Sequence, residues 1–167
     1  MLLVVVPALI VFGTAYYIMK EFTTNQWRTQ SLRQQAERQK TTLPIRLQAY
    51  ERLALFCERI SITGLVLRTR AENMTPAQYK VNLLMSIQQE YEHNVTQQVY
   101  VSDQLWQIIQ VARDDLSRFI DLVSQEMEPG ASARDFADHL LNHAAQRERD
   151  PLQTAQTAIR KETASIF

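Results

Sequence analysis

Residues 102–128 read SDQLWQIIQVARDDLSRFIDLVSQEME, and this stretch decides the fold. Leu105, Ile109, Ala112, Leu116, Phe119 and Val123 recur at alternating steps of four and three. That rhythm sets them on one seam of a helix. Gln107, Gln110, Asp114, Ser117 and Asp121 keep the same rhythm on another face. One seam therefore faces a core and the other faces water. Ser102 stands where an N-cap belongs, with an oxygen for the orphan N–H groups of the first turn. Glu128-Pro129-Gly130 ends the helix, because proline cannot continue it and glycine accepts left-handed backbone. On this reading Phe119 is a core residue and Asp114 is solvated.

The flanking sequence has the same helical character, and no segment alternates like a strand. Upstream, Thr75-Pro76-Ala77-Gln78 carries the signature of a capping box with proline in the first turn. Leu84, Ile87, Tyr91 and Val95 form the buried stripe of the helix that follows. The β-branched run at Val99-Tyr100-Val101, ahead of Ser102, suggests a break; a continuous helix is the alternative, since neither glycine nor proline enforces one. A helix from Thr41-Thr42-Leu43-Pro44 to Ala71 is apolar around most of its girth, which places it centrally in a bundle. Gly64 within it would permit a close helix crossing. Downstream, Ser132 with Asp135 caps an amphipathic helix carrying Phe136, Leu140 and Ala144, and Asp150-Pro151 opens a last one carrying Leu152, Ala155 and Ile159. The expectation is an all-α protein: an antiparallel bundle of about four helices over 43–128 and a C-terminal helical segment over 129–167.

The N-terminus differs from all of this. Residues 1–19, MLLVVVPALIVFGTAYYIM, contain no charged side chain. A bilayer core about 30 Å thick needs roughly 20 apolar residues in helix, so this segment can span as a transmembrane helix. Residues 20–42 form a polar stalk rich in Gln and Arg. Between residues 20 and 46 the cations are Lys20, Arg28, Arg33, Arg38, Lys40 and Arg46, against Glu21 and Glu37. Positive charge marks the cytoplasmic flank of a span, so the N-terminus reads as outside and the main domain as cytoplasmic. The same cations suit anionic lipid headgroups. Gly13-Thr14-Ala15 has the small-x-small look of a signal-peptide cleavage site, but the basic n-region is missing. The formal net charge of zero gives no support for a nucleic-acid partner. Cys57 is the single cysteine, so no intrachain disulfide forms; its apolar helical face reads as packing.

Catalytic signatures are absent from the sequence. No phosphate-binding glycine loop and no Gly-x-Ser-x-Gly elbow exists. Glu90-Tyr91-Glu92-His93 holds a Glu-x-x-His, which di-iron bundles use in two copies with further glutamates; here it occurs once. His139 and His143 share a helical face with Asp135 and could chelate, yet they read as half-buried or surface histidines. The sharper hypothesis is a polar seam. Glu51, Arg52, Glu58 and Arg59 repeat at a seven-residue spacing, and would pair with Glu90, Glu92, His93 and Asn94 (or Asp103) of a neighbouring helix. Such a seam fixes helix register or binds a partner. The expectation is a non-enzymatic, cofactor-free adaptor or scaffold that meets lipid through residues 1–19 and the basic stalk, and meets another protein or a second copy of itself. The rivals are a metal-dependent enzyme using Glu90, His93 and Glu51 or Glu58, and a structural subunit whose anchor makes the contacts.

Two segments carry a resemblance: residues 43–53, LPIRLQAYERL, and EYEHN at 90–94 running into QQVYVS at 97–102. Over roughly Met1 to Met127 the chain resembles an uncharacterised family of short bacterial membrane-anchored proteins, common in Bacteroidota and known as a domain of unknown function. The resemblance implies an inner-membrane anchor and a cytoplasmic helical domain, and implies no activity. Nothing is carried over to the segment after Pro129.

Overall fold

The computed structural model describes residues 12–14, 16, 17, 19–21, 40 and 42–166. The apolar segment 1–19 and the stalk 20–42 lie largely outside the described residues. The described ones among them are helical and exposed. Among the described residues, no helix is long and apolar enough to cross a membrane. The chain divides into two compact units, residues 1–44 and 45–167.

The second unit is all-helical among its described residues. It contains α1 (residues 45–60), α2 (Ile62–Arg68), α3 (Pro76–Asn94), a 3-10 turn (Val95–Tyr100), α4 (Asp103–Gln125), α5 (Ala133–Ala145) and α6 (Pro151–Ala164). Each start has a local cause. Thr75 accepts from Gln78 N–H while the Gln78 side chain accepts from Thr75 N–H, and Ser132 and Asp135 repeat the arrangement at α5. Asp150 caps α6 by accepting from Leu152 N–H, with Pro151 in its first turn. Gly130, between α4 and α5, takes φ +95°, backbone that an L side chain rarely adopts.

The expected single helix from Pro44 to Ala71 is two helices. Ser61 leaves helical backbone at φ −56°, ψ 149° and its hydroxyl caps Gly64 N–H, so α2 starts afresh. Gly64 serves this joint and not a helix crossing. A Cβ there would lie 2.7 Å from the Glu58 carbonyl oxygen and 3.0 Å from Ser61 Oγ. The apolar girth of this stretch is not all covered, because Leu55 and Leu67 are exposed. The expected break near residue 100 is present and begins earlier. The α-helix yields to 3-10 geometry at Val95, Val101 is extended, and Ser102 caps α4.

Helix α4 lies at the centre, packed against α3, α5 and α6. It runs antiparallel to α3, since Lys80 meets Asp121 while Tyr91 meets Gln110. It runs antiparallel to α5 as well, since Asp115 meets Arg147 and Glu126 meets His139. Its seam buries Leu105, Ile109, Ala112, Leu116 and Val123 as the sequence predicts. Phe119 is the exception. The core position belongs to Ile120, at 0% exposure, with Trp106 also buried. A straight helix drifts about 20° per heptad relative to a strict seven-residue repeat, so one more turn carries the buried stripe past Phe119. The Phe119 ring sits half-buried, with the Arg147 guanidinium 4.5 Å from its centroid.

The core joins Phe56, Leu53 and Ile60 of α1 to Leu83 and Ile87 of α3 and to Phe136 and Leu140 of α5. Tyr91 stacks on Trp106 at 5.7 Å, and Tyr79 meets Phe136 edge-on at 6.2 Å. The Tyr79 hydroxyl is buried with no hydrogen-bond partner, and burial raises its pKa. Cys57 is packed in the same core, where burial pushes its thiol up to about 12 and keeps it inert.

Candidate functional site

Of the Glu/Arg stripe of α1, Arg52 and Arg59 reach α3 through their guanidinium groups. Arg59 Nη2 lies 2.6 Å from Glu90 Oε1, and Arg68 Nη1 of α2 lies 2.9 Å from the same oxygen. Arg68 also donates to the Arg59 carbonyl and to the Gly64 carbonyl, so it ties the joint between α1 and α2 to α3. Burial alone would raise the Glu90 carboxyl. The hydrogen bonds and charges of Arg59 and Arg68 outweigh it and hold the group below its ordinary range. Arg52 Nη2 donates to the His93 carbonyl oxygen at 2.9 Å.

The other members of the stripe take separate places. Glu92 accepts from Gln88 on its own helix, and the His93 side chain is exposed. Asn94 is buried and donates back to the Glu90 carbonyl, which closes the end of α3. Glu51 is exposed beside a surface groove between α1 and α6, and Glu58 is exposed with its carbonyl occupied by Ser61. The arrangement suits register-setting. Glu90 is engaged by two guanidinium groups, and His93 does not join it in a cluster of metal-ligating side chains.

This geometry names the pair that couples. Arg59→Ala and Glu90→Ala should each lower stability, with a coupling of about 0.5–1 kcal/mol in a double-mutant cycle. Arg52→Ala and Glu92→Ala should add independently, because Arg52 reaches a backbone carbonyl. Urea unfolding of the four combinations measures both. Additivity at Arg59 and Glu90 would remove the register role.

A second polar centre lies at the start of α4, and the sequence did not disclose it. Glu162 of α6 reaches the N-cap of α4. Its Oε1 accepts from Ser102 N–H at 2.8 Å and from Tyr50 Oη at 2.9 Å, and its Oε2 takes the Ser102 hydroxyl. Ser102 Oγ meanwhile accepts from Leu105 N–H. This is a capping box closed by a carboxylate from a different helix, because the local position for it holds Leu105. Arg46 completes the centre, donating to Tyr50 Oη at 2.9 Å and to the Tyr100 carbonyl at 3.2 Å. Burial would raise the Glu162 carboxyl, but the Ser102 and Tyr50 hydrogen bonds and the Arg46 charge bring it below its ordinary value. Burial and the Glu162 carboxylate raise the Tyr50 hydroxyl.

Beside Glu162 an open groove of about 800 Å³ runs between α4 and α6. Ile108 and Ala158 supply its apolar surface, while Glu148, Arg149 and Lys161 supply charge. A family model for a family of unknown function, DUF7935, matches residues 1–166. The chain belongs to the DUF7935 family. The match runs beyond Met127, so the segment after Pro129 is as much a part of the DUF7935 domain as the earlier motifs. That agrees with the structure, in which Phe136, Leu140, Leu152, Ala155 and Ile159 are buried in the common core. No match is found among curated proteins or among solved structures.

Proposed function

We propose that this DUF7935 chain is a membrane-tethered interaction module whose α4–α6 groove takes an amphipathic helical segment of another protein. The groove carries the reading. Ile108 and Ala158 offer apolar contact, and Glu148, Arg149 and Lys161 offer charges of both signs at its edge. An apolar strip with a polar rim is the chemistry that receives the buried face of an amphipathic helix. The Arg59–Glu90–Arg68 and Glu162–Ser102 centres support the same reading, because both hold helices in place and neither presents a reacting group to substrate. The uncharged segment 1–19 supplies the tether, and the basic residues behind it keep the bundle on the cytoplasmic side of the inner membrane. A tether raises the effective concentration of the bundle toward a membrane-bound partner without any new contact.

Site-specific cross-linking tests the groove in the full chain. Photo-reactive groups at Gln153 and Thr157, which line it, should join one protein in intact membranes. The same group at Arg118, exposed elsewhere on α4, should not. Ile108→Arg should remove the cross-link while far-ultraviolet circular dichroism stays unchanged. Equal cross-linking from Arg118 would overturn the groove assignment. A reporter fused after Phe167 that is active outside the cytoplasm would overturn the orientation.

A further inference from the structure

We infer that Glu126, His139 and His143 form a binding site for a divalent zinc-like cation. Three ligand atoms converge where the C-cap of α4 faces one side of α5. His139 Nε2 and His143 Nε2 lie 3.1 Å apart, and Glu126 Oε2 lies 3.7 Å from the first and 3.5 Å from the second. A tetrahedral ion with bonds of about 2.1 Å separates its ligand atoms by about 3.4 Å. The point equidistant from these three atoms is about 2.0 Å from each, which is the length of a Zn–N or Zn–O bond.

The fold sets this geometry in place. His139 and His143 stand one turn apart on α5, and their neighbours Phe136 and Leu140 are fully buried, which fixes the rotation of the helix. The Ser132–Asp135 capping box fixes its start and occupies Asp135, so the acidic residue that shares the histidine face is not the third ligand. Glu126 takes that place from the last turn of α4, brought round by Pro129 and Gly130. Without a cation the trio is poorly satisfied. Two imidazole nitrogens face each other at 3.1 Å, and the carboxylate oxygen stands at 3.5 Å or more from both. A dication accepts all three lone pairs at once.

The donor set selects the ion. Two imidazoles and one carboxylate suit zinc and its neighbours in the first transition row, whereas Mg²⁺ and Ca²⁺ require mostly oxygen ligands. Three protein ligands leave a coordination position for water or for a group from a partner. The rings are part-exposed, so the ion enters without unfolding.

The test is a Zn²⁺ titration of the full chain, purified without a histidine tag, against a chromophoric chelator. One equivalent should bind. His139→Ala, His143→Ala and Glu126→Gln should each weaken binding by about tenfold or more. His93→Ala, at the remaining histidine, should leave it unchanged, and a large excess of Mg²⁺ should not compete. Co²⁺ should give the intense visible absorption of a tetrahedral ion in the parent chain and lose it in the variants. The Glu126→Gln change preserves shape, which guards against a folding failure in the histidine variants. Zinc binding that survives the double histidine replacement, or its absence at micromolar Zn²⁺, overturns the site. Full affinity in Glu126→Gln overturns the three-ligand assignment.

Discussion

Replacing Ile120 by alanine should lower the unfolding free energy by about 2–5 kcal/mol, the range for emptying a fully buried branched side chain. Ile120 is at 0% exposure in the middle of α4, the helix against which α3, α5 and α6 pack. A void there removes contacts to several helices, which have little freedom to collapse together. Phe119→Ala should cost less than half as much despite the larger ring, because Phe119 is half-buried and covered on one side by Arg147. Asp114→Ala, on the solvated face, should shift stability by less than about 0.5 kcal/mol. Urea unfolding monitored by circular dichroism ranks the three. A larger loss from Phe119→Ala than from Ile120→Ala would show that the heptad seam holds to its end and that the helix does not drift.

Removing the Glu162 carboxylate should cost about 2–3 kcal/mol at neutral pH. Glu162→Ala leaves the Ser102 N–H, the Ser102 hydroxyl and the Tyr50 hydroxyl without their acceptor. Hydrogen bonds to a charged group contribute about 1.5–3 kcal/mol, and part-buried donors left unpaired add to the loss. The effect also has a pH signature. The folded carboxyl titrates below its ordinary 4.5, so the folded state holds its proton less tightly than the unfolded chain does. Its stabilising contribution is therefore full above about pH 4.5 and is lost as pH falls through the lower folded value. Glu162→Gln removes this dependence. The stability difference between parent and Glu162→Gln should be constant from pH 7 to about 5 and then shrink in acid. A difference that grows as pH falls would reverse the sign of the proposed interaction.

The second prediction also bears on the proposed docking of a partner helix. Glu162 ties the start of α4 to α6 and α1, and it lines the neighbouring groove. A bundle that loses this tie should bind its partner more weakly even where it remains folded. The Glu126–His139–His143 trio sits toward the other end of α4, so the proposed cation site and the groove can be tested separately.

The amino-acid sequence by itself determined the all-helical class and the starts of α3, α4, α5 and α6. Periodicity, Thr75 with Gln78, Ser132 with Asp135, Asp150-Pro151 and Pro129-Gly130 act within one or two turns, and such signals are written in adjacent residues. Burial of Cys57 and the outward placement of Asp114 follow from the same periodicity. Tertiary structure decided what depends on helices meeting. The exchange of Phe119 for Ile120 follows the drift of a straight helix against a seven-residue repeat, and Arg147, beyond α5, covers the displaced ring. The joint at Ser61 is tied to α3 by Arg68, which reaches both the Arg59 carbonyl and Glu90. Glu162 lies 60 residues from Ser102 and completes its cap because α6 folds back on α4. Glu126 joins His139 and His143 because a turn aims two helices at one point. The chemistry of each group was legible in the chain, but the distance between groups is a property of packing, and it is distance that makes a carboxylate a cap, a register pin or a metal ligand.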